Sequence, residues 1–295
     1  MLKNLNKKSI LPERAIVLGG HGFIGSAIHN NLIQNHIPVK SIGRSDFDLL
    51  DEHSDQKLAS ILKSGDVLIF VSAKAPCRNI DDLIGNLQMA KVVISALKLQ
   101  SIDHLIYISS DAVYQDSDQP ISETSCVEPA SIHGVMHLAR EVLLKTEFTG
   151  PMSIVRPTLV YGVNDPHNGY GPNSFKRLGI NNKDIILFGE GEELRDHVYV
   201  EDIAELVRLV ILYKSTGIVN AVSGEAVSFR KLAELISKKC NSTGDIKTTA
   251  RKGPMPHNGY REFLPSSACQ NFPNFQFSKV AEGISAICEV HHKDL

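Results

Sequence analysis

The sequence is poor in the features that place a chain outside the ordinary globular class. Its five cysteines, at 77, 126, 240, 269 and 288, are scattered and include no C-x-x-C pair. That odd, unpatterned set argues against a disulfide framework or a zinc knuckle, and reads as buried or idle thiols in a reducing compartment. No apolar stretch reaches the roughly 18 residues that a membrane helix needs. The opening "MLKNLNKKSILPERAIVLGG" carries basic residues, but its apolar run is short and belongs to a strand. Blocks of like charge are missing too: 31 Lys and Arg stand against 33 Asp and Glu, for a formal charge of −2. Such a balance leaves no electrostatic footprint for nucleic acid or an anionic membrane. There is no internal repeat and no low-complexity segment. With 295 residues, 42% hydrophobic and 22% charged, the chain can bury a substantial core in one large or two interlocked domains. Small molecules or other chains are the expected partners, a homodimer the expected assembly, and the cytoplasm the expected compartment.

What is present is an alternation of strand and helix. "AIVLGG" (15–20), "PVKSIG" (38–43), "DVLIFVSA" (66–73), "HLIYISS" (104–110) and "SIVRPTLVYG" (153–162) read as strands. Runs with helical spacing fill the gaps, notably 81–100 and 133–145. Apolar strands alternating with helices predict a doubly wound parallel sheet covered on both faces, an α/β fold. The order breaks near 163, where "VNDPHNGYGPNSF" reads as a long functional loop. A strand over "DIILFGEG", a helix near 202–213, a strand, a helix near 228–240 and an irregular tail follow. The expected division is a dinucleotide-binding domain over 1–165 plus about 198–225, and a smaller lobe over 166–197 and 226–295.

The first chemical motif is "GGHGFIG", which sets Gly19, Gly22 and Gly25 directly after a strand and at the mouth of a helix. Glycines there let the backbone turn tightly and approach a pyrophosphate held by the free N–H groups of the helix. Phe23 and Ile24, between the last two glycines, join the candidate cofactor contacts. At the end of the second strand an acidic residue would bind the ribose 2′-hydroxyl of NAD, but "SIGRSD" has Gly43 there, with Arg44 and Ser45 after it. A guanidinium at that point suits a 2′-phosphate, so NADP is the expected cofactor and NAD the alternative.

These stretches together resemble the extended short-chain dehydrogenases/reductases, the NAD-dependent epimerase/dehydratase family, over nearly the whole chain. "DFDLLD" (46–51), "IGNLQMA" around Asn86, "YISSDAVY" (107–114), "RPTLVYG" (156–162), "GPNSF" and "GEELRDHVYVEDIAE" (191–205) carry the likeness. It implies that Asp51 contacts adenine, that Ala73 and Asn86 lie beside the cofactor, and that Ser110 hydrogen-bonds the reacting sugar oxygen. Asp111 matches an acidic residue of the family's dehydratases. Ala112 stands where those enzymes have a Glu, which argues against dehydration. The same likeness places Tyr161, Asn173 and Arg195 on a nucleoside-diphosphate sugar, with Arg261 as a second phosphate contact.

One departure stands out. The family helix carries Y-G-x-x-K, whereas "HGVMHLARE" (133–141) keeps Gly134, Leu138 and Glu141 but has His133 and His137 at the Tyr and Lys positions. A spacing of four keeps both rings on one helix face. Three readings compete: His133 transfers the proton and His137 holds the cofactor ribose; catalysis is lost and the protein only binds its ligands; or the pair chelates zinc, although no third ligand is evident. The sugar-nucleotide residues downstream favour the first. The expected activity is NADP(H)-dependent reduction of a keto sugar nucleotide, with epimerisation as the near alternative.

Overall fold

A computed structural model describes residues 1–293 of the chain, and side-chain surroundings as far as Glu289. The elements are β1 (Lys3–Asn4), β2 (Arg14–Leu18), α1 (Phe23–Gln34), β3 (Val39–Ile42), α2 (Ser54–Ile61), β4 (Asp66–Phe70), α3 (Ile80–Leu99), β5 (His104–Ile108), α4 (Ile132–Glu147), β6 (Met152–Pro157) and β7 (Leu159–Tyr161). They continue with α5 (Pro172–Ile180), β8 (Ile185–Phe188), β9 (Leu194–Tyr199), α6 (Val200–Leu212), β10 (Ser215–Ala221), β11 (Ala226–Ser228), α7 (Phe229–Lys239), β12 (Ile246–Thr249), β13 (Tyr260–Arg261), α8 (Ser266–Asn271) and α9 (Val280–Lys293).

Seven strands form the main sheet in the order β1-β10-β6-β5-β4-β2-β3, parallel except where β1 meets β10. Every residue of β4 (DVLIF) and β5 (HLIYI) is buried. Such unbroken apolar strands fit only the middle of a sheet covered on both sides. On one face Ile28 and Leu32 of α1 pack with Ile203, Leu206 and Val207 of α6; on the other, Met89 and Val93 of α3 pack with Leu144 of α4. The doubly wound α/β architecture is thus present. Among the described residues no helix is long and apolar enough to cross a membrane.

The smaller lobe joins β9 to β11, β13 and β7, and β8 to β12, over a core of Phe175, Leu187, Phe229, Leu232 and Ile284. Two expectations need correction. The tail is not irregular, because Val280, Ile284 and Ile287 recur at helical spacing and bury one face of α9. Nor does all of 226–295 belong to the smaller lobe: Ala268 and Phe272 of the α8 segment, with Phe275 and Phe277 behind them, pack into the core under the main sheet.

Candidate active site

The site lies at the carboxyl ends of the parallel strands, where the turns after β2, β3, β4 and β5 converge. After β2 the chain turns at Gly19, whose φ of +94° is a left-handed conformation that suits glycine. A Cβ on Gly25 would collide with the Gly19 carbonyl oxygen, and one on Gly19 would stand 2.7 Å from Ser72 N. Helix α1 begins at Phe23 with no side-chain cap and no acidic residue in its first turn, so its amides are left for an anion. These features form one wall of a cavity of about 720 Å³ that also includes Phe23, Ile24, Arg44 and Ala73. The cradle fits a dinucleotide.

The segment after β3 carries the next group of candidate cofactor contacts. A Cβ at Gly43 would meet the ring of the exposed His21, so a larger residue there needs that side chain to shift. Arg44 reaches the cavity with its side chain 72% exposed, and pairs with Asp48 at 3.3 Å. Asp46 accepts from the Gly43 amide at 2.8 Å. It is Asp48, not Asp51, that lines the cavity, and Asp51 is exposed. Ser45 lies outside the wall, its Oγ 3.4 Å from His21 Nδ1. Asn86 is fully buried with its amide committed: it accepts from Lys74 N at 3.0 Å and donates to the carbonyls of Lys74 and Asp82. Its task is to hold the segment after β4, not to reach into the cavity.

Helix α4 carries the two histidines to the turn at Ser110. Ser131 caps it by accepting from Gly134 N at 3.1 Å. A Cβ on Gly134 would collide with the Ala112 carbonyl oxygen, so the helix reaches the Ser110–Val113 turn only with glycine there. Farther along, Glu141 takes Arg156 in a forked pair at 2.9 and 2.6 Å and accepts from Ser109 Oγ at 2.7 Å, which ties α4 to β5 and β6.

His133 accepts at Nδ1 from the Cys77 amide at 3.3 Å, which assigns its ring proton to Nε2. Burial pushes its pKa below the usual imidazole value, against the pull of the nearby Asp111 charge. His137 is buried, with Nδ1 2.8 Å from the Tyr107 hydroxyl, and burial, His133 and Arg140 hold its pKa well down. The two rings lie 4.7 Å apart, and burial biases both toward the neutral form. The Tyr107 phenol beneath them is fully buried and pushed up to about 12. Ser110 Oγ accepts from Ala112 N at 3.2 Å. Ser110, His133 and His137 are not in the cavity wall; Ala75 is, and two residues on Cys77 rests on His133. No group of three or more His, Cys, Asp or Glu side chains that could hold a metal occurs among the described residues.

In the sugar-nucleotide region the outcome is mixed. Asn173, at the start of α5, lines the same cavity and accepts from Gly162 N at 3.2 Å. Arg195 is mostly buried and paired with Glu193 at 3.1 Å, and Arg251 joins the same carboxylate at 3.3 Å. Arg261 is not free for a phosphate: fully buried, it binds Asp111 at 3.0 Å, Asp116 at 2.8 Å and the Asp111 carbonyl at 2.7 Å. Tyr161 points into the lobe core against α9, away from the cavity. A residue not foreseen is His197, buried in the cavity wall, with Nδ1 3.1 Å from the Arg195 carbonyl and Nε2 unpartnered. Burial lowers it to about 3, so it presents a neutral ring.

Comparison with known proteins fits this arrangement. The family model for the NAD-dependent epimerase/dehydratase family matches residues 15–273. The chain belongs to that family. The dTDP-4-dehydro-6-deoxyglucose reductase of Escherichia coli is 26% identical over 263 residues, covering 78% of this chain and 83% of the relative. Among solved structures, the UDP-glucose 4-epimerase of Thermus thermophilus, in complex with NAD, superposes with a TM-score of 0.82 at 20% identity, covering 96% of this chain and all of that one. A GDP-L-fucose synthetase from Naegleria fowleri bound to NADP does so with a TM-score of 0.83 at 18% identity, covering 99% and 97%. Solved structures with this fold therefore include both an NAD and an NADP complex.

Proposed function

We propose that the chain is an NADP(H)-dependent oxidoreductase that reduces a keto group on a nucleoside-diphosphate sugar. The supporting observation is the single cavity that runs from the glycine turn and Arg44 to Asn173 and His197, joining a dinucleotide cradle to the region around α5. The bound cofactor would supply hydride. The chain's own residues would hold the sugar: Asn173 and the amides around it, Arg195 once a diphosphate competes with Glu193 for its guanidinium, and Ser110 by a hydrogen bond to the reacting oxygen.

His133 supplies the proton in this reading. Burial disfavours its second proton, whose arrival at Nδ1 would also displace the Cys77 hydrogen bond, but a lowered pKa makes each protonated ring a stronger acid. Reduction should accordingly rise as pH falls toward a value below the ordinary imidazole pKa. The 74–78 segment must also yield to admit the sugar, since Ala75 faces the cavity while Cys77 rests on His133.

A second reading rests on a specific observation: Arg195 and Arg261 are both already paired with carboxylates, and His133 and His137 stand outside the cavity wall. A silent binding module would look the same. Thermal shift with UDP, GDP, CDP and dTDP, then with NADPH and NADH, separates the two, because a ligand stabilises the fold it binds. The enzyme reading expects one or two bases and NADPH to respond. A response to cofactor alone favours the module, and interconversion of sugar isomers without net cofactor change would point to an epimerase.

A further inference from the structure

Three arginines are fully buried, and two have carboxylates: Arg156 has Glu141, and Arg261 has Asp111 and Asp116. Arg140, on α4 between His137 and Glu141, has none among the described residues. Its Nη2 donates to the Ser72 carbonyl at 2.8 Å, its guanidinium lies 4.2 Å over the Phe70 ring and 5.2 Å from that of Tyr107, and Nε and Nη1 have no hydrogen-bond partner. The adjacent Glu141 cannot serve, its oxygens being taken by Arg156 and Ser109, with Lys145 at 3.6 Å. Burying a cation without an anion is costly, and aromatic faces offset that only in part.

The position explains the cost. Ser72 lines the cofactor cavity and abuts the glycine turn at Gly19, so Arg140 stands directly behind that wall. In the family pattern a positive charge sits at 137, where this chain has a ring held neutral. We propose that Arg140 takes over that charge, one helical turn along: it is a positioning residue that fixes the Ser72 carbonyl and draws the anionic dinucleotide from behind the wall. In a water-poor interior such attraction is screened less than at a surface.

This rests on the dinucleotide reading, and the test separates the two. NADPH is titrated into wild type and into Arg140→Met and Arg140→Lys variants by cofactor fluorescence, and the ligand-free melting of each is recorded. The expected result is about a tenfold loss of NADPH affinity in Arg140→Met, the scale of one charge-assisted contact, with Arg140→Lys recovering most of it. Ligand-free Arg140→Met should melt no lower than wild type, because an uncompensated charge has been removed. A purely structural arginine would give the opposite, a lower melt that Lys does not restore. Wild-type affinity in Arg140→Met overturns the inference while sparing the dinucleotide reading, and so does a fall in both melting and affinity without rescue by Lys. If Arg140→Met does not fold, failure of Arg140→Lys to bind NADPH within a few-fold of wild type overturns it. Absence of NADPH binding by wild type overturns both.

Discussion

The glycine end of the cavity and the α4 corner are built on opposite principles. At the glycine end the backbone does the work: Gly19 and Gly25 clear space, α1 leaves its amides uncapped, and few side chains are committed. At the α4 corner nearly every side chain is engaged, with His133 on Cys77, His137 on Tyr107, Glu141 on Arg156 and Ser109, and Arg261 on Asp111. A site made of backbone tolerates surface change and keeps its ligand. One made of interlocked side chains can hold groups at unusual protonation states, but a single loss disturbs several partners.

The largest effect that would break this contrast is at Glu141. Glu141→Ala leaves Arg156 buried and unpaired and should cost about 3–5 kcal/mol in denaturant unfolding. Below its lowered melting point the variant should still bind cofactor, since α1 and the glycine turn do not touch the pair. Next is Gly25→Ala, whose Cβ meets the Gly19 carbonyl oxygen; crowding of this kind costs up to about 3 kcal/mol, and dinucleotide titration should show binding lost. The mirror change, Gly134→Ala, should reduce turnover more than it weakens cofactor binding, because its Cβ meets the Ala112 carbonyl oxygen and pushes α4 off the Ser110 turn.

Acid should sharpen the contrast further. His104 is lowered to about 4 and His197 to about 3, so between these values and pH 6.5 the unfolded chain binds protons that the folded chain refuses. Their stabilisation is present above pH 6.5 and is lost as pH falls, by about 2 kcal/mol each at pH 5. Asp196, raised to about 6, works the other way and offsets about 1 kcal/mol. Melting curves from pH 7 to 5 should therefore fall, and less steeply in His104→Gln. The smallest effect is at Arg44, which is exposed and shared with Asp48. Arg44→Ala should weaken NADPH by about tenfold and leave NADH unchanged in a fluorescence titration.

How much of this was legible in the sequence follows the same division. The glycine turn is a local signal, read from spacing within "GGHGFIG" and its place between a strand and a helix. The sheet was legible because β4 and β5 are short apolar runs with helical runs between them. The α4 corner was legible only in outline. His133 and His137 could be placed on one face, but the Cys77 amide comes from 56 residues away and Tyr107 from 30, so neither protonation state was readable. Arg261 looked like a phosphate ligand because its pairing with Asp111 spans 150 residues. Spacing alone did not show that the turn after β3 brings Asp48, and not Asp51, into the cavity wall. Helix α9 was missed although Val280, Ile284 and Ile287 mark its face, since the Pro- and Asn-rich stretch before it obscures the start.

The measurement that bears most directly on the central claim is cofactor oxidation under single-turnover conditions, with wild type and His133→Phe against a panel of keto sugar nucleotides. Wild type should oxidise NADPH with at least one of them, faster as pH falls below neutrality. His133→Phe should lose roughly 10²–10⁴-fold of that rate while binding the nucleotide sugar nearly as well. Equal rates in the two proteins would contradict the assignment of the proton to His133, and NADPH binding by wild type with no oxidation across the panel would contradict the account of the chain as a reductase.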